Sequence, residues 1–170
     1  MVVAVDIDGV LRDITTTIEK MVSWKEGNQY FVTKYNDSKI TDALREDQRR
    51  IFLKSPIYPG AKEFMDWLYD NARVKVISYQ PNVGGILFTN LWLKNHGIKY
   101  HDLIYVSKPQ EKLDHEWDII IEDSPYTARE AVDKGRKVCL INRRYNQDSD
   151  IDIKFEDYNI LKEYISALSR

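Results

Sequence analysis

Cysteine is nearly absent from this sequence of 170 residues, with Cys139 its one thiol. A lone thiol closes no internal disulfide and builds no zinc cluster, so a reducing compartment, the cytoplasm, is expected. Glycine (7) and proline (5) are too sparse for a collagen-like or low-complexity chain. No apolar run approaches the ~20 residues of a membrane helix. The opening Met1-Val2-Val3-Ala4-Val5-Asp6 has neither the basic segment nor the apolar stretch of a signal peptide. Charge of one sign is lacking too. The 25 Lys and Arg face 27 Asp and Glu, a net charge of −2, so no general basic field exists for nucleic acid or an anionic membrane. What remains is 43% hydrophobic and 31% charged, the composition of a globular protein. A chain of this length has room for one domain and buries roughly 70% of its unfolded surface, enough to fold on its core alone.

Strand-like and helix-like patterns alternate along that domain. Val2 to Ile7 is a short β-branched run stopped by Gly9, the mark of a strand buried on both faces. Val74–Ser78, Leu103–Ser107, Trp117–Glu122 and Lys137–Ile141 read the same way. Pro59–Asn71, with Ala61, Phe64, Met65 and Leu68 on one face, predicts a helix, as does Val83–His96 before Gly97. Ser124-Pro125 reads as an N-cap and first turn for a helix closed by Gly135, and Asp157–Ser169 as a last outer helix. The expected fold is α/β, a Rossmann-like parallel sheet flanked by helices.

One stretch breaks the alternation. Residues 13–55 carry no strand-like run, only helical spacing at Thr15–Trp24 and Thr41–Leu53 around a turn at Gly27-Asn28. An insert of that length right after the first strand reads as a small helical cap, with residues 1–12 and 56–170 as the core. Its Trp24, Tyr30, Phe31 and Tyr35 offer flat faces that would stack a nucleobase or fill the cap's own core.

Asp6 and Asp8 stand where the first strand ends. Residues two apart in an extended chain share a side, so both carboxylates address one volume, and Gly9 lets the backbone turn there. Ligands of open parallel sheets bind at the carboxyl ends of the strands. Ile119-Ile120-Ile121-Glu122-Asp123 is a second buried strand ending in paired carboxylates. Buried like charges call for a cation, and two such strand ends supply oxygen ligands for Mg²⁺. Ser78 ends the strand Val74–Ser78, and Lys108 or Lys112 follows the strand ending near Ser107. The closing glutamate and spaced glycine of a calcium loop are absent.

Acid pair, hydroxyl, lysine and acid pair, in that order, resemble the four motifs of the haloacid dehalogenase-like (HAD) phosphohydrolase superfamily. The resemblance spans residues 1–146. The opening from Asp6 to Asp13, the Ser55–Ala61 segment, Trp92-Leu93, Asp118–Pro125 and Arg144-Tyr145-Asn146 look most like the 5′(3′)-deoxyribonucleotidase-type branch. Glu122-Asp123 stands where that branch usually has two aspartates, and Arg144 where a proline is common. The resemblance implies a Mg²⁺-dependent phosphomonoesterase acting on nucleoside monophosphates. Asp6 would be the nucleophile and Asp8 the general acid and base. Mg²⁺ would sit on Asp6, the backbone carbonyl of Asp8 and Asp123, with Glu122 behind them. Ser78 and a lysine would hold the phosphoryl oxygens. Lys108 is preferred as that lysine because it directly follows the strand, with Lys112 the alternative at shorter spacing.

Arg12 is expected at phosphate or on the surface, Arg49-Arg50 and Arg143-Arg144 on solvated faces, and Cys139 in the core. His96, His101 and His115 lack ligand spacing. Three rival readings share these residues: a polynucleotide 3′-phosphatase, a sugar-phosphate phosphatase, and a catalytically silent phosphate-binding or regulatory domain.

Overall fold

The structure is a computed structural model that describes residues 1–22 and 47–168. Among those residues, six parallel strands form one sheet: β1 (Val2–Val5), β2 (Arg73–Tyr79), β3 (Asp102–Val106), β4 (Ile119–Glu122), β5 (Lys137–Ile141) and β6 (Lys154–Phe155), in the order β3-β2-β1-β4-β5-β6. Five described helices accompany them: α1 (Ile14–Val22), α2 (Ala61–Asn71), α3 (Val83–Asn95), α4 (Pro125–Asp133) and α5 (Tyr158–Leu168). A π-helical turn at Arg49–Leu53 and a 3₁₀ helix at Pro109–Asp114 complete the described elements.

Strand periodicity divides the core into two layers. Val3 and Val5, Val74 and Val76, Ile119 and Ile121, Cys139 and Ile141 point to one face, where Phe64, Met65, Leu68, Trp92, Leu93, Leu161 and Ile165 of α2, α3 and α5 cover them. Ala4, Ile77, Ile120, Val138 and Leu140 point to the other, against Leu113, Trp117 and the α4 residues Ala128 and Ala131. The strands carry no polar face because helices cover both sides of the sheet. The four strands expected after the first one lie where the hydrophobic runs place them, although β4 starts at Ile119 rather than Trp117. β1 ends at Val5, ahead of both aspartates. β6 has no counterpart among the expected strands, since two residues are too short to leave a period-two signature.

Ser124 caps α4 as expected, its side chain accepting from the Thr127 N–H. The ends of the insert lie side by side: the Asp13 N–H donates to Pro56 O at 2.8 Å and the Tyr58 N–H to Leu11 O at 2.9 Å. Asp13 then caps α1 by accepting from the Thr16 N–H at 3.0 Å. Trp24, Tyr30, Phe31 and Tyr35, and with them most of the expected cap, lie outside the described residues.

Sheet order places the site. From β1 the chain runs outward to β2 and β3, then returns across β1 to build β4, β5 and β6. The carboxyl ends of β1 and β4 flank the point where strand order reverses, and a crevice opens at such a point.

Candidate functional site

The loop after β1 is pinned at its start by the Asp6 N–H, which donates to Ile121 O of β4 at 3.0 Å. That bond carries Asp6 beside Glu122 and Asp123 at the end of the neighbouring strand. One carboxylate oxygen from each of the three lies within 4.8 Å of the others, and all three residues are buried. Gly9 makes the approach feasible. Its φ is +82°, and a Cβ there would fall 1.9 Å from Asp123 Oδ2.

Lys112 is the cation of this cluster. Its Nζ lies 2.8 Å from Asp6 Oδ2 and 2.9 Å from Glu122 Oε2. The expected preference for Lys108 is corrected. Lys108 is exposed at the N-cap of the 3₁₀ helix, in extended backbone ahead of Pro109, whereas Lys112 sits on the helix's inner face beside Leu113. Proline forces the residue before it out of helical geometry, so the turn that follows, not the strand end, aims the lysine.

Charge is unevenly shared among these groups. Burial works against the Glu122 carboxylate, yet Lys112 and the backbone N–H groups of Asp123 and Ser124 hold its pKa below the usual range. Asp6 is raised well above its usual range by burial first, with Glu122 and Asp8 adding to the rise and Lys112 opposing it. Asp123 is raised by burial and by the charges of Glu122 and Asp6. Lys112 is raised, because the pull of the Asp6 and Glu122 carboxylates outweighs its own burial.

Both oxygens of Glu122 are satisfied, by Lys112 on one side and backbone N–H groups on the other. Asp6 Oδ1 and Asp123 Oδ1 are buried with no hydrogen-bond partner among the described residues. Asp123 Oδ2 accepts from the Tyr145 hydroxyl. Two orphaned carboxylate oxygens from adjacent strand ends are the donor set a hard divalent cation takes, and its charge would offset the burial that raises both acids. The residues therefore fit Mg²⁺, with Glu122 already committed elsewhere.

Asp8 has separate partners. Its Oδ1 accepts from Arg12 Nε at 2.7 Å and its Oδ2 from Gln80 Nε2 at 3.1 Å. Gln80 also reaches Ser78 Oγ at 3.4 Å, so the hydroxyl at the end of β2 joins the acid of the β1 loop through one amide. Sequence reasoning missed Gln80, although its place two residues beyond Ser78, on the same side of an extended chain, is the signal that points to it.

Two arginine expectations are corrected. Arg12 is neither at the surface nor open to phosphate; it is fully buried. Arg143 is no solvated side chain: its Nε donates to Gly9 O at 2.6 Å and its Nη2 to Val10 O at 3.3 Å, with its Cζ 3.8 Å from the centre of the Tyr58 ring. Arg144 is exposed and pairs with Glu19, and Arg49 and Arg50 are exposed as expected. Asn146 Nδ2 donates to Asp123 O at 2.8 Å and Ile141 O at 2.9 Å, fixing the β4 and β5 ends together.

The fold is that of haloacid dehalogenase-like hydrolases. A haloacid dehalogenase-like hydrolase of Streptococcus pneumoniae superposes with a TM-score of 0.66 at 12% identity, over 96% of this chain and 97% of its own. A HAD-hydrolase of Bacillus subtilis, solved bound to magnesium, gives 0.64 at 12% identity over 96% and 97%. A 2-haloacid dehalogenase of Pseudomonas syringae gives 0.58 at 13% identity over 98% of each chain. No protein-family profile matches the chain, and neither does any curated protein. No helix among the described residues is long and apolar enough to cross a membrane.

Proposed function

We propose that this chain is a Mg²⁺-dependent phosphomonoesterase that works through an aspartyl-phosphate. The observation that carries the reading is the pair of buried oxygens on Asp6 and Asp123 that have no partner among the described residues, beside a lysine and within one loop of a second acid. Asp6 Oδ1, Asp123 Oδ1 and the backbone carbonyl of Asp8 would hold Mg²⁺. Bound there, the ion would supply charge neutralisation for a phosphoryl group and for the carboxylates around it.

Asp6 attacks phosphorus, forming a P–O bond to its carboxylate as the ester P–O bond breaks. The leaving oxygen takes a proton from Asp8. Water then attacks the same phosphorus, Asp8 accepts its proton, and the bond to Asp6 breaks, regenerating the enzyme and releasing phosphate. Lys112 opposes the burial that would protonate Asp6 before the attack, and with Ser78 it faces the phosphoryl oxygens. Gln80 suits Asp8 in both protonation states, since a turn of its amide exchanges the donor Nε2 for the acceptor Oε1, which has no partner among the described residues.

Dehalogenases share this fold, so the fold does not choose the reaction. Asp8 favours the ester. An alkoxide leaves poorly without a proton, whereas a halide needs none. Nucleoside monophosphates are the proposed substrates, on the likeness of the opening motif and the Ser55–Ala61 segment to the deoxyribonucleotidase type, with the cytoplasm as the proposed compartment.

The test is phosphate release from ribo- and deoxyribonucleoside 5′- and 3′-monophosphates, sugar phosphates and a 3′-phosphorylated oligonucleotide, with Mg²⁺ and with EDTA. Turnover that requires Mg²⁺ and vanishes in Asp6→Asn, with an unchanged circular dichroism spectrum, is the expected result. Near-native activity in that variant removes the covalent mechanism. A best rate on the oligonucleotide, falling steeply with salt, would move the substrate to nucleic-acid ends.

A further inference from the structure

Arg12 has no part in the steps above, yet it is the largest charged side chain in the core, 0% exposed. Three elements meet on its guanidinium. Nε donates to Asp8 Oδ1 at 2.7 Å, Nη1 to Phe52 O at 2.5 Å and Nη2 to Thr89 Oγ1 of α3 at 3.0 Å. The rings of Phe52 and Trp92 centre 5.2 and 5.3 Å from its Cζ. Burying a guanidinium is costly unless its charge is matched and its donors are satisfied. The carboxylate that matches it is Asp8. An apolar side chain of similar volume fills such a space at no such cost, so packing alone does not account for an arginine here.

We propose that Arg12 is a positioning residue. Its rigid fork holds the Asp8 carboxylate against Gln80, and its bond to Phe52 makes that orientation depend on the returning limb of the insert, residues 47–54. The geometry joins the acid of the β1 loop to the one described segment that leads out of the insert. Trp92 Nε1, donating to O of Ser55 at 2.8 Å, ties the residue that follows the limb to α3. With Ile51 and Phe52 of this limb buried against Ile14 and Ile18 of α1, the Phe52 carbonyl is held in place and Asp8 is aimed through Arg12. This inference rests on the reading of Asp8 as acid and base.

A double-mutant cycle tests it, with steady-state hydrolysis of p-nitrophenyl phosphate in Mg²⁺ as the readout. Arg12→Gln is expected to lower kcat by about 10²-fold, the usual effect of a misplaced acid or base, with KM within about twofold. Arg12→Lys, which keeps the charge but not the fork, is expected to recover about tenfold of that loss. In an Asp8→Asn background the same Arg12→Gln change is expected to alter kcat less than about twofold, because its effect runs through Asp8. An equal loss in both backgrounds, or a raised KM with kcat intact, overturns the proposal. Should Arg12→Gln fail to fold, Thr89→Val removes one acceptor of Arg12 without touching Asp8. Its loss in kcat must likewise disappear in Asp8→Asn. Wild-type protein without Mg²⁺-dependent turnover, or turnover that survives Asp6→Asn, sinks the phosphatase reading itself and this inference with it.

Discussion

Lys112 is the ammonium that Asp6 and Glu122 share. It stands between Asp6 and Glu122, which would otherwise face each other as buried anions. Lys112→Ala leaves both without a cation, and such a loss costs about 3–5 kcal/mol of stability along with most activity. Lys108→Ala touches an exposed side chain and is expected to stay within about 0.5 kcal/mol of wild type. Urea unfolding and kcat, measured on both variants, check this, and a larger effect at Lys108 would reverse the assignment. The two lysines could not be told apart along the chain because both follow the same strand. What separates them is the 3₁₀ turn after Pro109, whose inward face is chosen by Leu113 packing against the sheet.

Among the elements, the loop from Asp6 to Asp13 is held from several sides. Arg143 and the Tyr158 hydroxyl hold its Gly9 and Val10 carbonyls, Arg12 ties it to α3, and the Asp6 N–H ties it to β4. Gly9→Ala meets both a left-handed backbone and a collision with Asp123. About 1–3 kcal/mol of strain follows from the backbone alone, and the collision displaces Asp123. The expected result is a lower melting temperature and no stabilisation by Mg²⁺, read by thermal unfolding with and without the ion. A Gly9→Ala variant that Mg²⁺ still stabilises would show that Asp123 is not held by this contact. The glycine was legible in the sequence as a turn. Arg143 was not, because it is 134 positions from its partner Gly9, and no local pattern reports a contact of that range.

Across the whole molecule, the acid cluster couples folding to pH. The carboxyls of Asp6 and Asp123 have raised values in the folded protein, so between the ordinary carboxylate range and those raised values the native state binds more protons than the unfolded chain. Their contribution therefore falls as pH rises through that window. Glu122, with its lowered value, runs the other way: its contribution is present above the ordinary range and is lost as pH falls. Asp123→Asn removes one of the two raised acids. In EDTA, its melting temperature relative to wild type is expected to climb as pH goes from about 4 to about 7.5. Mg²⁺ at about 100 times its Kd then adds ~2.7 kcal/mol to wild type and little to the variant. A constant difference across that pH range would mean that Asp123 ionises as it does in the unfolded chain.

Short stretches of sequence were enough to specify the parallel α/β architecture, five of the six described strands and the four loci from which the site is built. Those features are local, since β-branched runs buried on both faces, capped helices and acids at strand ends are each written within a few consecutive residues. Folding in three dimensions settled which lysine meets Asp6, that Arg12 is buried on Asp8, that Gln80 bridges Ser78 and Asp8, and that Arg143 clamps the β1 loop. Each of those contacts forms between elements that come together only when the sheet closes its order around β1. Whether a charge lies in solvent or in the core is set by what packs over it, and that is a property of the assembled fold.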